Sequence, residues 1–229
     1  LDYADYPQEA TKIERIGGYN GISIEKLLML KPDMVIAWKS GNQAEDLAQI
    51  KRLGIELYLS DPRFIEGVAS EILKLGQLTG HIEQSKQVAE TFTAKLNAIK
   101  VTQKDKTTLT GFYQLWPEPM MTVTKNTWTN QLIETCQVTN VFANSDTDYP
   151  QISIENVIVT KPQVMIIPDE KSKRVIPTVN WQQWPEIPAV KYEQFISVNA
   201  DLLHRFTPRM LDGLAQMCDK VDISREFIK

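Results

Sequence analysis

Asp201, His204 and Arg205 fall within five consecutive residues and form the best catalytic constellation the chain offers. An acid, an imidazole and a guanidinium so close could move a proton. Asp201 and Arg205 are also four apart, the spacing of an ordinary helical ion pair. No G-x-S-x-G, H-E-x-x-H, Gly-rich phosphate loop or Cys–His motif accompanies them, so a small enzyme is a remote reading. A second set is aromatic. Tyr3, Tyr19, Trp38 and Tyr149 flank predicted elements, where loops reach a binding surface, and Trp116, Met120 and Met121 follow a predicted strand. Such residues offer flat and adaptable apolar area rather than acid–base machinery. Cys136 and Cys218 each lie on the apolar face of a predicted helix. They read as buried thiols in a reducing compartment, or as a disulfide in an exported chain. Two Cys and two His cannot complete a four-ligand zinc site without carboxylates, and none of them sit at ligand spacing.

The 229 residues carry 25 Lys and Arg against 29 Asp and Glu, a formal charge of −4 with no basic stripe, which argues against a nucleic-acid partner. No apolar run reaches the roughly 18 residues that a membrane-spanning helix needs. The opening Leu1-Asp2-Tyr3-Ala4-Asp5-Tyr6-Pro7 has neither an initiator Met nor an export signal, and reads as a processed protein or a fragment.

Strand and helix patterns alternate. Residues 23–30 have helical spacing with Ser23 suited to the N-cap, and Lys31-Pro32-Asp33 ends them. The continuous apolar run 34–38 predicts a strand buried on both faces. Residues 43–53 predict a helix closed by Gly54, 55–59 a strand and 64–79 a helix. The Gly- and Pro-free stretch 83–100, with Val88, Phe92, Leu96 and Ile99 on one stripe, predicts a long helix joining two lobes. Beyond it, strands are predicted at 109–115, 164–167 and 195–198, and helices at 128–136 and 153–160. A last helix is predicted from Thr207 with Pro208 at N1, burying Leu211, Leu214, Cys218 and Val221.

The chain also repeats itself. Residues 19–38 and 149–168 align without gaps, and eight of the 20 positions are identical, including Tyr, Ser, Glu and the Lys-Pro pair. Average residue usage would give about one or two. The repeat predicts similar lobes with ligand-facing loops at the carboxyl ends of their strands. It pairs Tyr19 with Tyr149 and Glu25 with Glu155. Each Glu falls in a first helical turn, where a negative charge suits the helix dipole, and the matched pair suits docking on a two-fold symmetric partner.

Several of these segments resemble one family. They are Tyr3-Ala4-Asp5-Tyr6-Pro7, Ser23-Ile24-Glu25, Lys31-Pro32-Asp33 through Trp38, Phe112-Tyr113-Gln114, Asn130-Gln131-Leu132, Tyr149-Pro150-Gln151, and Asp201 through Pro208-Arg209. Together they resemble the periplasmic cobalamin-binding proteins of bacterial ABC importers, a branch of the helix-linked binding proteins for siderophores, haem and cobalamin.

The resemblance implies an α/β fold of two Rossmann-like lobes with central parallel sheets. Residues 1–80 would form the N-terminal lobe, lacking the family's first strand and helix, 81–106 the connecting helix and 107–229 the C-terminal lobe. Cobalamin would be a transported ligand, not a cofactor, held in the inter-lobe cleft by Tyr3, Tyr19, Trp38, Leu115, Tyr149, Asp201 and Arg205, and Met121, from its place after the 109–115 strand, is a further candidate for the same cleft. Glu25 and Glu155 would dock on a two-fold permease with its ATPase subunits, and Cys136 and Cys218 would form a disulfide. The protein would be a monomer of the Gram-negative periplasm, with no catalytic residue and no metal of its own. Tyr19 and Tyr149 stand where well-known members carry Trp, and Leu115 where they carry an aromatic residue, a change bearing on affinity more than on ligand class. Haem or an iron–siderophore is the alternative cargo. An anionic siderophore would call for several cations, for which Arg205 and, less clearly, Lys39 are the candidates.

Overall fold

In the computed structural model, which describes residues 6–18, 21–169 and 179–228, the chain divides into two units, Leu1–Asp61 and Pro62–Lys229. The first contains a 3-10 turn at Gln8–Lys12 and a short antiparallel pair, β1 (Gly17–Gly18) and β2 (Gly21–Ile22). It continues through α1 (Ile24–Leu30), β3 (Met34–Trp38), α2 (Ala44–Arg52) and β4 (Glu56–Ser60). Gly54, at φ 74°, follows the end of α2 in the left-handed region that glycine adopts without strain. β3 and β4 run parallel, with Met34 opposite Glu56 and Trp38 opposite Ser60.

Val35 and Ala37 alternate inward and pack with Leu27 of α1 and Ile50 of α2. β3 is therefore not buried on both faces, as its apolar run suggests. Both helices supply the cluster on the Val35 side, and Ile36 and Trp38 on the other side are 50% and 52% exposed.

The second unit begins with α3 (Gly67–Leu78) and α4 (Ile82–Gln103) and continues with β5 (Leu109–Tyr113), β6 (Trp116–Pro117) and β7 (Met120–Met121). Then come α5 (Trp128–Thr135), β8 (Val138–Asn140), α6 (Ile154–Thr160), β9 (Val164–Asp169), α7 (Pro188–Lys191), β10 (Phe195–Asn199), α8 (Ala200–Leu203) and α9 (Met210–Phe227). Four strands form one parallel sheet in the order β8-β5-β9-β10. Period-two alternation divides its side chains between two cores. Val164 and Ile166 join Phe92, Leu96, Leu132, Leu214 and Val221 from α4, α5 and α9. Met165 instead meets Phe112, Val157, Trp181 and Ile187. Both faces are covered, as parallel strands joined by helical crossovers require.

α3, expected in the N-terminal lobe, belongs to the second unit and crosses α4 where a Cβ on Gly76 would stand 2.0 Å from Ser85 Oγ. That approach shifts the buried stripe of α4. Ser85, Ala89, Phe92, Leu96 and Gln103 are buried, whereas Val88 of the expected stripe is exposed. The last helix begins at Met210 rather than with Pro208 at N1, because the N–H groups of Met210, Leu211 and Asp212 bond three residues back, to Thr207, Pro208 and Arg209. Its apolar face is as expected: Leu211, Leu214, Cys218 and Val221 are all buried.

The repeat has a structural counterpart. α1 and α6 are both seven residues long and capped by Ser23 and Ser153, whose hydroxyls accept from the Lys26 and Asn156 N–H groups. Both helices end in the left-handed region, at Lys31 and Lys161 with φ 47°, and a proline leads on to β3 or β9. Cys136, at the end of α5, is bonded to Cys218 of α9 with Cα atoms 4.8 Å apart. Arg225 locks the same junction, donating to the carbonyls of Thr107 and Cys136 at 2.6 Å each. Because the bridge closes a long loop (sequence separation 82), Cys136→Ser/Cys218→Ser should lose about 2–5 kcal/mol, read as a lower denaturant midpoint with the fold retained.

Candidate functional site

Parallel strands with helical crossovers gather their carboxyl ends on one edge, and loops leaving that edge are free to carry function. In the second unit, β5 runs out into Gln114, Leu115 and Trp116. The Leu115 N–H donates to the Met121 carbonyl at 2.9 Å, closing the β6–β7 hairpin back onto the strand end. Residues 148–152 then pass alongside β7. The Thr122, Thr124 and Ile152 N–H groups bond the carbonyls of Pro150, Asp148 and Met120 at 3.1, 3.1 and 2.9 Å, and Met121 bridges Gln151. This ladder places Leu115, Met121 and the Tyr149 segment on neighbouring backbones. Leu115 is half-buried against the core, and Tyr149 is 46% exposed. Partial burial, with the charge of Asp148 beside it, holds the Tyr149 hydroxyl above its ordinary pKa, so it stays a neutral donor. The sequence reading had no β6–β7 hairpin. Its signal was the Pro-Glu-Pro run between Trp116 and Met120.

β10 ends on the same edge. Asn199 accepts from the Asp201 N–H at 2.9 Å and so caps α8, and Arg205 reaches back to Asp201 Oδ1 at 2.7 Å. Each partner is about one-third exposed. His204, between them, turns the other way. Its Nε2 is hydrogen-bonded to the Tyr113 hydroxyl at 2.8 Å, tying the end of β5 to the α8 turn. Burial lowers the His204 pKa to about 4 against a weaker opposing pull from Asp201, and burial raises that of Tyr113 above the ordinary tyrosine range. His204 is therefore neutral and already partnered, neither a poised base nor an open metal ligand. Among the described residues no cluster of three or more His, Cys, Asp or Glu could hold a metal ion.

In the first unit, Trp38 stands at the carboxyl end of β3 with Lys39 beside it. Glu25 and Glu155 are both exposed in the first turns of α1 and α6. The Ser153 hydroxyl and the Glu155 N–H keep the Glu155 carboxyl below its ordinary pKa. Tyr3 and Tyr19 lie outside the described residues.

The family profile described as periplasmic binding protein matches residues 2–202. The chain is 34% identical over 227 residues to the vitamin B12-binding protein of Vibrio cholerae serotype O1 (strain ATCC 39541 / Classical Ogawa 395 / O395), covering 98% of this chain and 81% of that one. The vitamin B12-binding protein of Yersinia pestis (strain Pestoides F) is 33% identical over 219 residues, 96% of this chain and 76% of that protein. The crystal structure of the periplasmic vitamin B12 binding protein of Vibrio cholerae superposes with a TM-score of 0.89 at 34% identity, over 98% of this chain and 88% of that one. A periplasmic heme-binding protein from Roseiflexus sp. RS-1 shares the fold alone, with a TM-score of 0.79 at 19% identity over 96% and 87% of the two chains.

Burial of the His204 imidazole makes stability depend on pH. The unfolded imidazole takes a proton as pH falls below about 6.5, whereas the folded one resists until about 4, so stability present above 6.5 drains away between the two values. Urea unfolding should show this group contributing a loss on the order of 2–3 kcal/mol across that window. His204→Gln should flatten the slope, and an unchanged slope would assign it to other groups.

Proposed function

The chain belongs to the periplasmic binding protein family, and on that premise we propose that it captures cobalamin and delivers it to an ABC importer. Agreement along nearly the whole chain with vitamin B12-binding proteins carries this reading. The local chemistry suits it. A corrin is a broad, mostly apolar macrocycle edged with amide arms, so it calls for flat apolar area and a few polar anchors. Each unit contributes some of these. Trp38 is half-open in the first, with Tyr3 and Tyr19 assigned from sequence. The second offers Leu115, Met121 and Tyr149 beside the Asp201–Arg205 pair, whose partly exposed polar groups suit ligand amides. The role is binding rather than catalysis, and cobalamin is cargo.

Glu25 and Glu155 are the proposed contacts to cationic residues on the two like halves of a permease served by ATPase subunits. One turn beyond each acid, at matching repeat positions, Met29 and Val159 are 75% and 78% exposed and add an apolar contact to each docking face. The proposed setting is the periplasm of a Gram-negative cell, where the Cys136–Cys218 bond persists, and the proposed working form is a monomer.

Calorimetric and visible-absorbance titration with cyanocobalamin should show one tight site, with haem and ferric siderophores failing to compete. Preference for either of those would reassign the cargo. Glu25→Lys/Glu155→Lys should abolish uptake in a reconstituted permease while leaving that titration unchanged. Loss of ligand binding instead would make the acids structural.

A further inference from the structure

The loop after Trp38 folds back underneath it. The Trp38 N–H donates to Asn42 Oδ1 at 2.8 Å, and the Asn42 and Gly41 N–H groups return to the Trp38 carbonyl at 3.0 and 3.3 Å. The loop is pinned to β4 by the Lys39 N–H on the Ser60 carbonyl at 2.9 Å and by Ser40 Oγ on Asp61 Oδ1 at 3.1 Å. A Cβ built on Gly41 would fall 1.8, 2.2 and 2.4 Å from Cε3, Cζ3 and Cδ2 of Trp38. Three atoms of the six-membered ring at that range mean that the indole rests on the Gly41 backbone. Gly41 does not have the left-handed φ of Gly54 or Gly80, so its conformation does not call for glycine. The ring above it does.

We infer that Gly41 is a positioning residue for ligand binding, the seat that holds the Trp38 indole in place while the rest of the ring surface stays open. The ligand half of this inference rests on the proposed function. A hydrogen-bonded loop sets the ring before the ligand arrives, so less side-chain freedom is lost on binding. Any side chain at 41 must push the indole into another rotamer and tilt the flat surface away from a macrocycle.

Gly41→Ala should weaken cyanocobalamin binding about tenfold, the scale of one misplaced aromatic contact, with the thermal midpoint nearly unchanged. In a double-mutant cycle the same substitution should cost nothing further in a Trp38→Ala background, because it acts only through the ring. A ligand-free measurement stands beside these. Ring current should move the Gly41 Hα resonances upfield of the ordinary glycine range in the native chain, and Trp38→Ala should return them. Ordinary Hα shifts would overturn the seat. Equal losses in both backgrounds, or unaltered affinity in Gly41→Ala, would overturn its role in binding. A native chain that ignores cyanocobalamin but shows the upfield shift would remove the cobalamin assignment and leave the seat standing.

Discussion

Parallel pairing is the constraint on which the rest of this molecule depends. Two parallel strands cannot be joined by a tight turn, so each connection must cross the sheet, and the crossovers bring helices onto its faces. Once the faces are covered, the carboxyl ends of the strands are the free edge. In the first unit β3 delivers Trp38 to its own such edge; in the second, β5 delivers Leu115 and Trp116, and β10 delivers Asn199 and the Asp201–Arg205 pair. The two units reach this outcome with different amounts of core. In the second, β9 sends alternate side chains into two apolar clusters. In the first, four buried residues among those described serve one face only, and Ile36 and Trp38 stay open on the other.

The helix–Lys–Pro–strand unit shows how a short segment can fix architecture and place the residues of the proposed docking faces. A serine cap sets where α1 and α6 start, and the following proline denies the lysine before it a helical continuation. The strand then begins a fixed distance on. Holding that geometry constant in both units places Glu25 and Glu155, and Met29 and Val159, at equivalent points of equivalent helices. The proposed two-fold permease would meet both faces with the same chemistry.

Long-range fastenings hold the second unit at both ends of its sheet. The Cys136–Cys218 bond and Arg225 join α5 to α9 beside the amino ends of β5 and β8, and the Tyr113–His204 bond joins the carboxyl end of β5 to the α8 turn. The last of these explains why the most reactive-looking residue of the chain is inert. Half-buried and hydrogen-bonded to a phenol, His204 stays neutral and fixes the turn carrying Asp201 and Arg205.

Much of this was legible in the residues alone. Caps, stops and periodicity involve neighbours within about four positions, so the helices at Ile24–Leu30 and Ala44–Arg52 and the strands at Met34–Trp38 and Phe195–Asn199 could be read directly. So could the offset repeat and its paired acids. What could not be read depends on elements far apart in the chain. The Gly76–Ser85 approach moved the buried stripe of α4 off Val88, and the open face of β3 reflects which helices cover it. The β6–β7 hairpin came from bonds to the 148–152 segment, and Tyr113 met His204 across 91 positions. Gly41 lies only three residues from Trp38, yet its role arises from a loop pinned to β4. Local spacing determined which elements form and which residues they carry; the tertiary structure decided which of those residues meet, because contacts at a sheet edge depend on strand order and crossover packing that no short window of sequence contains.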